Sequence, residues 1–113
     1  MLEKPLLWLL LAYRRLRYGY AFRRIPLTQG KFALVDPEDC ERLSAIRWHA
    51  QQSPHTWYAV HSLTNGKKEK RKNLQMHNLV IDVPPGMYAD HVNHNGLDNR
   101  KANLRAVTHT QNV

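Results

Sequence analysis

The chain has 113 residues, 42% of them apolar and 23% charged, which suits one folded domain with a modest core and excludes a disordered composition. A single cysteine, Cys40, excludes an intramolecular disulfide and a paired-cysteine zinc ribbon. It fits a reducing compartment, so a cytoplasmic location is expected.

The formal net charge of +8 is concentrated. Residues 1–24 hold Lys4, Arg14, Arg15, Arg17, Arg23 and Arg24 against Glu3, and residues 67–72 hold Lys67, Lys68, Lys70, Arg71 and Lys72 against Glu69. Two basic clusters on a near-neutral body suit a polyanion, nucleic acid ahead of an anionic membrane surface.

Residues 3–17 read as a helix. Pro5 stands near its start, Leu6, Leu7, Leu10 and Leu11 give it an apolar face, and Arg14, Arg15 and Arg17 crowd its last turn, where the helix dipole favours cations. The apolar run from Pro5 to Tyr13 is about half the ~20 residues of a membrane span. Arg14 and Arg15 follow it where a signal peptide would place small residues. No stable membrane association is expected; the helix is expected to pack on the domain or on a partner. Gly19 ends it.

Residues 25–28 and 31–35 read as short strands around Gln29-Gly30. Asp36-Pro37-Glu38-Asp39 starts a helix, with Asp36 as its cap, that runs to about Ile46. Trp48 leads into another strand, and residues 56–63 alternate as a strand should. Asn65-Gly66 is the strongest hairpin turn in the chain; its return strand carries the basic cluster and ends near Leu74. Residues 75–81 form a short helix and Pro84-Pro85-Gly86 a loop. Trp48 and Trp57 are expected in the core. The fold class is α+β, built from short β-hairpins and helices.

The C-terminal segment is the most informative. An Asp90-His91 pair ends one expected strand, a polar loop turns at Asn95-Gly96, and Asn103-Leu104-Arg105 opens a second strand through Val107. Thr108 then caps a helix. Residues 88–107 are thus expected to form an antiparallel hairpin with Asn103 facing His91, and a helix packed across it would bring Asp90, His91 and Asn112 together. Phosphodiester hydrolysis needs those residue types. A histidine can take a proton from water near neutral pH. A carboxylate and an amide carbonyl are oxygen ligands for a hard divalent cation.

These residues resemble the HNH endonuclease family, which includes phage and intron homing enzymes. The resemblance rests on DHVNHNGLDNRKANLRAVTHTQN at residues 90–112, preceded by LQMHNLVID at 74–82. It implies a C-terminal ββα-metal motif and a metal-dependent endonuclease acting on double-stranded DNA. By that resemblance His91 is the general base, Asn103 orients it, and Asp90 and Asn112 bind one divalent cation, Mg²⁺ or another such as Mn²⁺. Lys67, Lys68, Lys70, Arg71, Lys72, Arg100, Lys101 and Arg105 are the expected DNA contacts. The implied organisation is a basic arm over 1–24, a small α+β DNA-binding region over 25–73 and the nuclease motif over 74–113. Asn78 stands where the family usually has arginine, and Asn112 where it often has histidine. Val113 follows Asn112 directly, so the final helix is expected to be truncated. The alternative reading is a DNA-binding remnant of an HNH protein that keeps the scaffold without cleaving.

Overall fold

The computed structural model describes residues 4–63 and 73–112. Its elements are α1 (Lys4–Tyr18), β1 (Arg23–Pro26), β2 (Phe32–Val35), α2 (Pro37–Ser44), β3 (His49–Gln52), β4 (Trp57–Ser62), β5 (Asn73–Gln75), α3 (His77–Val80), β6 (Tyr88–His91), a 3-10 turn (Lys101–Asn103), β7 (Leu104–Val107) and α4 (His109–Asn112). The strands form three small antiparallel sheets: β1-β2, β3-β4-β5 and β6-β7. The α+β class read from the sequence is the observed one. The Asn65-Gly66 turn and the basic cluster at 67–72 lie outside the described residues.

Ile25, Ala33, Val35, Cys40, Leu43, Trp48, Ala59, Met76, Val80 and Leu104 make one buried cluster. It draws on residues from β1 to β7, so the C-terminal hairpin is seated on the same core as the segment before it. Trp48 and Trp57 are the two tryptophans expected inside. Trp48 is 4% exposed, and its indole N–H donates to Leu43 O at 2.8 Å; Trp57 is half-buried, with Lys31 Nζ over its ring.

Helix α1 is tied down at its C-terminal end, where the Arg14 guanidinium donates to Phe22 O and lies over the Phe22 ring. Leu6, Trp8, Leu9, Tyr13 and Leu16 are exposed along it. No helix among the described residues is long and apolar enough to cross a membrane.

Helix α2 begins where Asp36-Pro37-Glu38-Asp39 placed it, but the Asp36 side chain makes no capping hydrogen bond to it. Its carboxylate instead accepts from the Lys101 N–H at 2.9 Å, at the first residue of the 3-10 turn. One strand links the N-terminal hairpin to the loop after His91. Leu34 of β2 donates to Leu97 O at 2.8 Å and accepts from the Asn99 N–H at 2.7 Å, closing a parallel bridge with Asp98.

Gly96 sits where that loop meets β4. A Cβ there would lie 2.2 Å from Trp57 O and 2.7 Å from the Tyr58 ring, and the Gly96 N–H donates to Thr56 Oγ1. The obstacle includes backbone, so it cannot rotate away. Gly96→Ala is expected to destabilise the fold by ~1–3 kcal/mol, read as a lower urea midpoint at unchanged slope. A midpoint equal to the wild type's would show that the loop and β4 separate freely.

Candidate active site

The site is built on β6 and β7. Their register places Tyr88 opposite Val107, Ala89 opposite Ala106, Asp90 opposite Arg105 and His91 opposite Leu104. Successive side chains leave a strand on opposite faces. His91 thus turns inward with Leu104, at 7% and 8% exposure, while Asp90 meets Arg105, whose Nε donates to its Oδ2 at 2.9 Å. The hairpin expected over 88–107 is present, but Leu104 rather than Asn103 stands across from His91.

His55, Thr56, Tyr58, Asp90, His91 and His94 line one cleft of about 160 Å³. His94 is exposed and holds a φ of 64°, an uncommon conformation for a residue with a side chain. Its N–H donates to His91 O at 2.9 Å, tightening the turn that follows the base candidate.

Beneath the cleft, three rings pack together. The His91 and His77 centroids are 5.1 Å apart and nearly perpendicular, with Tyr58 at 5.8 and 6.0 Å from them. Burial lowers the His91 pKa; the hydrogen bond to Asn99 and the charges of Asp90 and Asp98 oppose that shift. That direction favours the neutral ring, the state a base requires. His77 is pushed down to about 4, first by burial and then by the neighbouring His91.

The depressed His77 pKa has a consequence for stability. Between its ordinary value of 6.5 and about 4, the unfolded chain binds a proton that the folded chain does not. Stability is then fully present above that window and falls as pH drops through it, by on the order of 3 kcal/mol. Urea unfolding at several pH values is expected to show this loss, and His77→Phe is expected to flatten it. An equally steep acid loss in that variant would place the linkage elsewhere.

The loop from His91 to Asn103 is held by its own amides and one carboxylate. Asn103 Oδ1 accepts from the Asn93 N–H, and its Nδ2 donates to Asn93 Oδ1 and Asp98 O. Its backbone carbonyl accepts from the Val92 N–H. None of these Asn103 hydrogen bonds goes to the His91 ring. The side chain hydrogen-bonded to it is Asn99, whose Oδ1 lies 2.8 Å from His91 Nε2. Asn99 is not among the site residues expected from the sequence.

Three of the expected DNA contacts have carboxylate partners. Arg100 pairs with Asp98 and lies 3.8 Å over the Tyr20 ring; Lys101 pairs with Asp39 and Glu38; Arg105 pairs with Asp90. Lys101 and Arg105 keep 45% and 59% of their side chains exposed, against 14% for Arg100, so Arg100 is the least available to a phosphate. Lys67, Lys68, Lys70, Arg71 and Lys72 lie outside the described residues.

Asp90 has the donor chemistry of a ligand to a hard cation. Its Oδ2 is engaged by Arg105, its Oδ1 has no hydrogen bond among the described residues, and it opens on the cleft. Asn112 belongs to α4, and its side chain is outside what the structure describes. No group of three or more His, Cys, Asp and Glu suited to a metal occurs among the described residues. One carboxylate with an amide from α4 fits a divalent cation of the magnesium type, which keeps several waters, and not an all-protein cage.

Residues 82–113 match the family model for HNH endonucleases. Over 86 residues the chain is 33% identical to an uncharacterised HNH endonuclease of Acanthamoeba polyphaga mimivirus, a match covering 74% of this chain and 43% of that protein. The chain therefore spans less than half the length of that relative. No solved structure matches it.

Proposed function

For a chain that belongs to the HNH endonuclease family, we propose hydrolysis of phosphodiester bonds in double-stranded DNA, dependent on a divalent metal and carried out in the cleft of Asp90 and His91. The observation that carries the reading is a buried histidine next in sequence to a carboxylate, both lining one cleft, with burial lowering the pKa of the imidazole. A bound divalent cation would supply charge stabilisation for the departing 3′ oxygen. Asp90, with Asn112 from α4, would hold it. His91 takes the proton of the attacking water. Tyr58 and His77 pack against the ring, and its burial lowers its pKa.

This reading is tested by metal titration. Asp90→Ala is expected to raise the Mg²⁺ concentration needed for half-maximal plasmid cleavage by about 10–100-fold, the range for disturbing a metal's surroundings. An unchanged Mg²⁺ requirement would remove Asp90 from the metal's shell.

The two basic clusters support duplex DNA as the substrate. Neutralised phosphates release counterions, so affinity is expected to fall with salt by about 0.9 logarithmic units per contact. Replacing Lys67, Lys68, Lys70, Arg71 and Lys72 together by alanine is expected to reduce that slope by up to about 4, with an unchanged urea midpoint. A salt slope equal to the wild type's would take the basic cluster out of the DNA interface.

A further inference from the structure

The Asn99 side chain makes one hydrogen bond among the described residues, from its Oδ1 to His91 Nε2 at 2.8 Å. An amide oxygen only accepts, so Nε2 donates and carries the ring proton. The neutral ring then has its lone pair on Nδ1. His91 lines the cleft, and with Nε2 engaged in the interior, Nδ1 is the nitrogen left to face it.

Asn99 is itself rigidly placed. It is 0% exposed, and its N–H is fastened to Leu34 O at 2.7 Å. Leu34 is flanked on β2 by Ala33 and Val35, both 0% exposed. The residue whose side chain meets His91 is therefore pinned by its backbone to the N-terminal hairpin, far away in sequence. The other half of its side-chain amide, Nδ2, is buried and has no hydrogen-bond partner among the described residues. A buried donor left unsatisfied destabilises a fold, and an apolar side chain at this position would not carry that cost. The position keeps an amide although half of it is unsatisfied, and the satisfied half meets the proposed base.

We propose that Asn99 is a positioning residue that holds His91 as its Nε2–H tautomer, makes Nδ1 the base, and through Leu34 couples the β1-β2 hairpin to the geometry of catalysis. The catalytic part of this proposal rests on the reading of His91 as the base; the hold on the tautomer does not.

The test reads the ring directly. In long-range proton–nitrogen correlation spectra of the nitrogen-15-labelled full chain at neutral pH, wild-type His91 is expected to show a protonated Nε2 and an unprotonated Nδ1. Asn99→Ala is expected to give a mixture of tautomers, and Asn99→Asp, which keeps an oxygen at the same place, to restore the wild-type pattern. In plasmid cleavage, Asn99→Ala is expected to lower kcat by about 10–100-fold with KM near the wild type's, and Asn99→Asp to recover most of it. A wild-type ring protonated on Nδ1 overturns the proposal without any variant, as does an unchanged tautomer in Asn99→Ala. Should the tautomers behave as expected while His91→Ala still cleaves, the hold on the ring stands and the assignment of His91 as base fails.

Discussion

Replacing His91 by alanine is expected to lower the rate of DNA cleavage by about 10²–10⁴-fold, the usual loss when a general base is removed, with duplex affinity close to unchanged. Water at neutral pH is a weak nucleophile and needs a nearby group to accept its proton. His91 is suited to this because burial lowers its pKa and because it lines the same cleft as Asp90. Its neighbours do not substitute for it. His77 does not line that cleft, and its pKa is pushed down to about 4. His55 and His94 line the cleft as well, but both are exposed and lie outside the ring cluster. In the proposed role the imidazole serves one attacking water rather than several phosphates, so binding should survive while cutting does not. Parallel measurement of cleavage rate and filter-binding affinity separates the two. Equal losses in both would make His91 a binding residue.

The second large effect concerns the fold beneath the site. Asp98 is 2% exposed and accepts hydrogen bonds from Arg100 Nε at 2.8 Å, Arg100 Nη2 at 2.7 Å and Asn93 Nδ2 at 2.9 Å. Arg100 is also largely covered, stacked on Tyr20. Asp98→Ala would leave a covered guanidinium without its counter-charge and an amide without its acceptor. Breaking such a pair from one side costs ~3–5 kcal/mol, a large share of the ~5–15 kcal/mol that holds a domain together. Urea unfolding is expected to show a loss of that size. Replacing both partners, as Asp98→Ala with Arg100→Met, is expected to recover part of it, because no unpaired charge then remains. A single-variant loss below about 1 kcal/mol, the scale of an exposed pair, would mean that Arg100 swings into solvent.

Much of the hairpin was legible in the sequence because its signals are local. Asp90-His91 ends β6, Asn103 immediately precedes β7, and Thr108 precedes α4, as alternation, turn chemistry and capping propensity indicate. The contacts that aim and brace the site were not legible, and for one reason: they join residues far apart in sequence. Asn99 reads as a turn former until β2 is seen to hold its backbone, from Leu34. Asp36 reads as the cap of α2, yet its carboxylate meets Lys101 across 65 positions. Lys101 and Arg105 read as DNA contacts, yet the chain brings Lys101 to Asp39 and Arg105 to Asp90, 62 and 15 positions away. Asn103 stands next to the expected position, but the strand register is offset by one residue and puts Leu104 across from His91. A single step along a strand moves a side chain to the other face.

The most direct measurement of the central claim is strand breakage in supercoiled plasmid by the purified chain, followed with Mg²⁺ and with excess chelator, for the wild type and His91→Ala side by side. The account predicts nicked or linear product from the wild type in Mg²⁺, almost none in chelator, and almost none from His91→Ala under either condition. Product that forms equally well in chelator, or that His91→Ala forms at the wild-type rate, would contradict it.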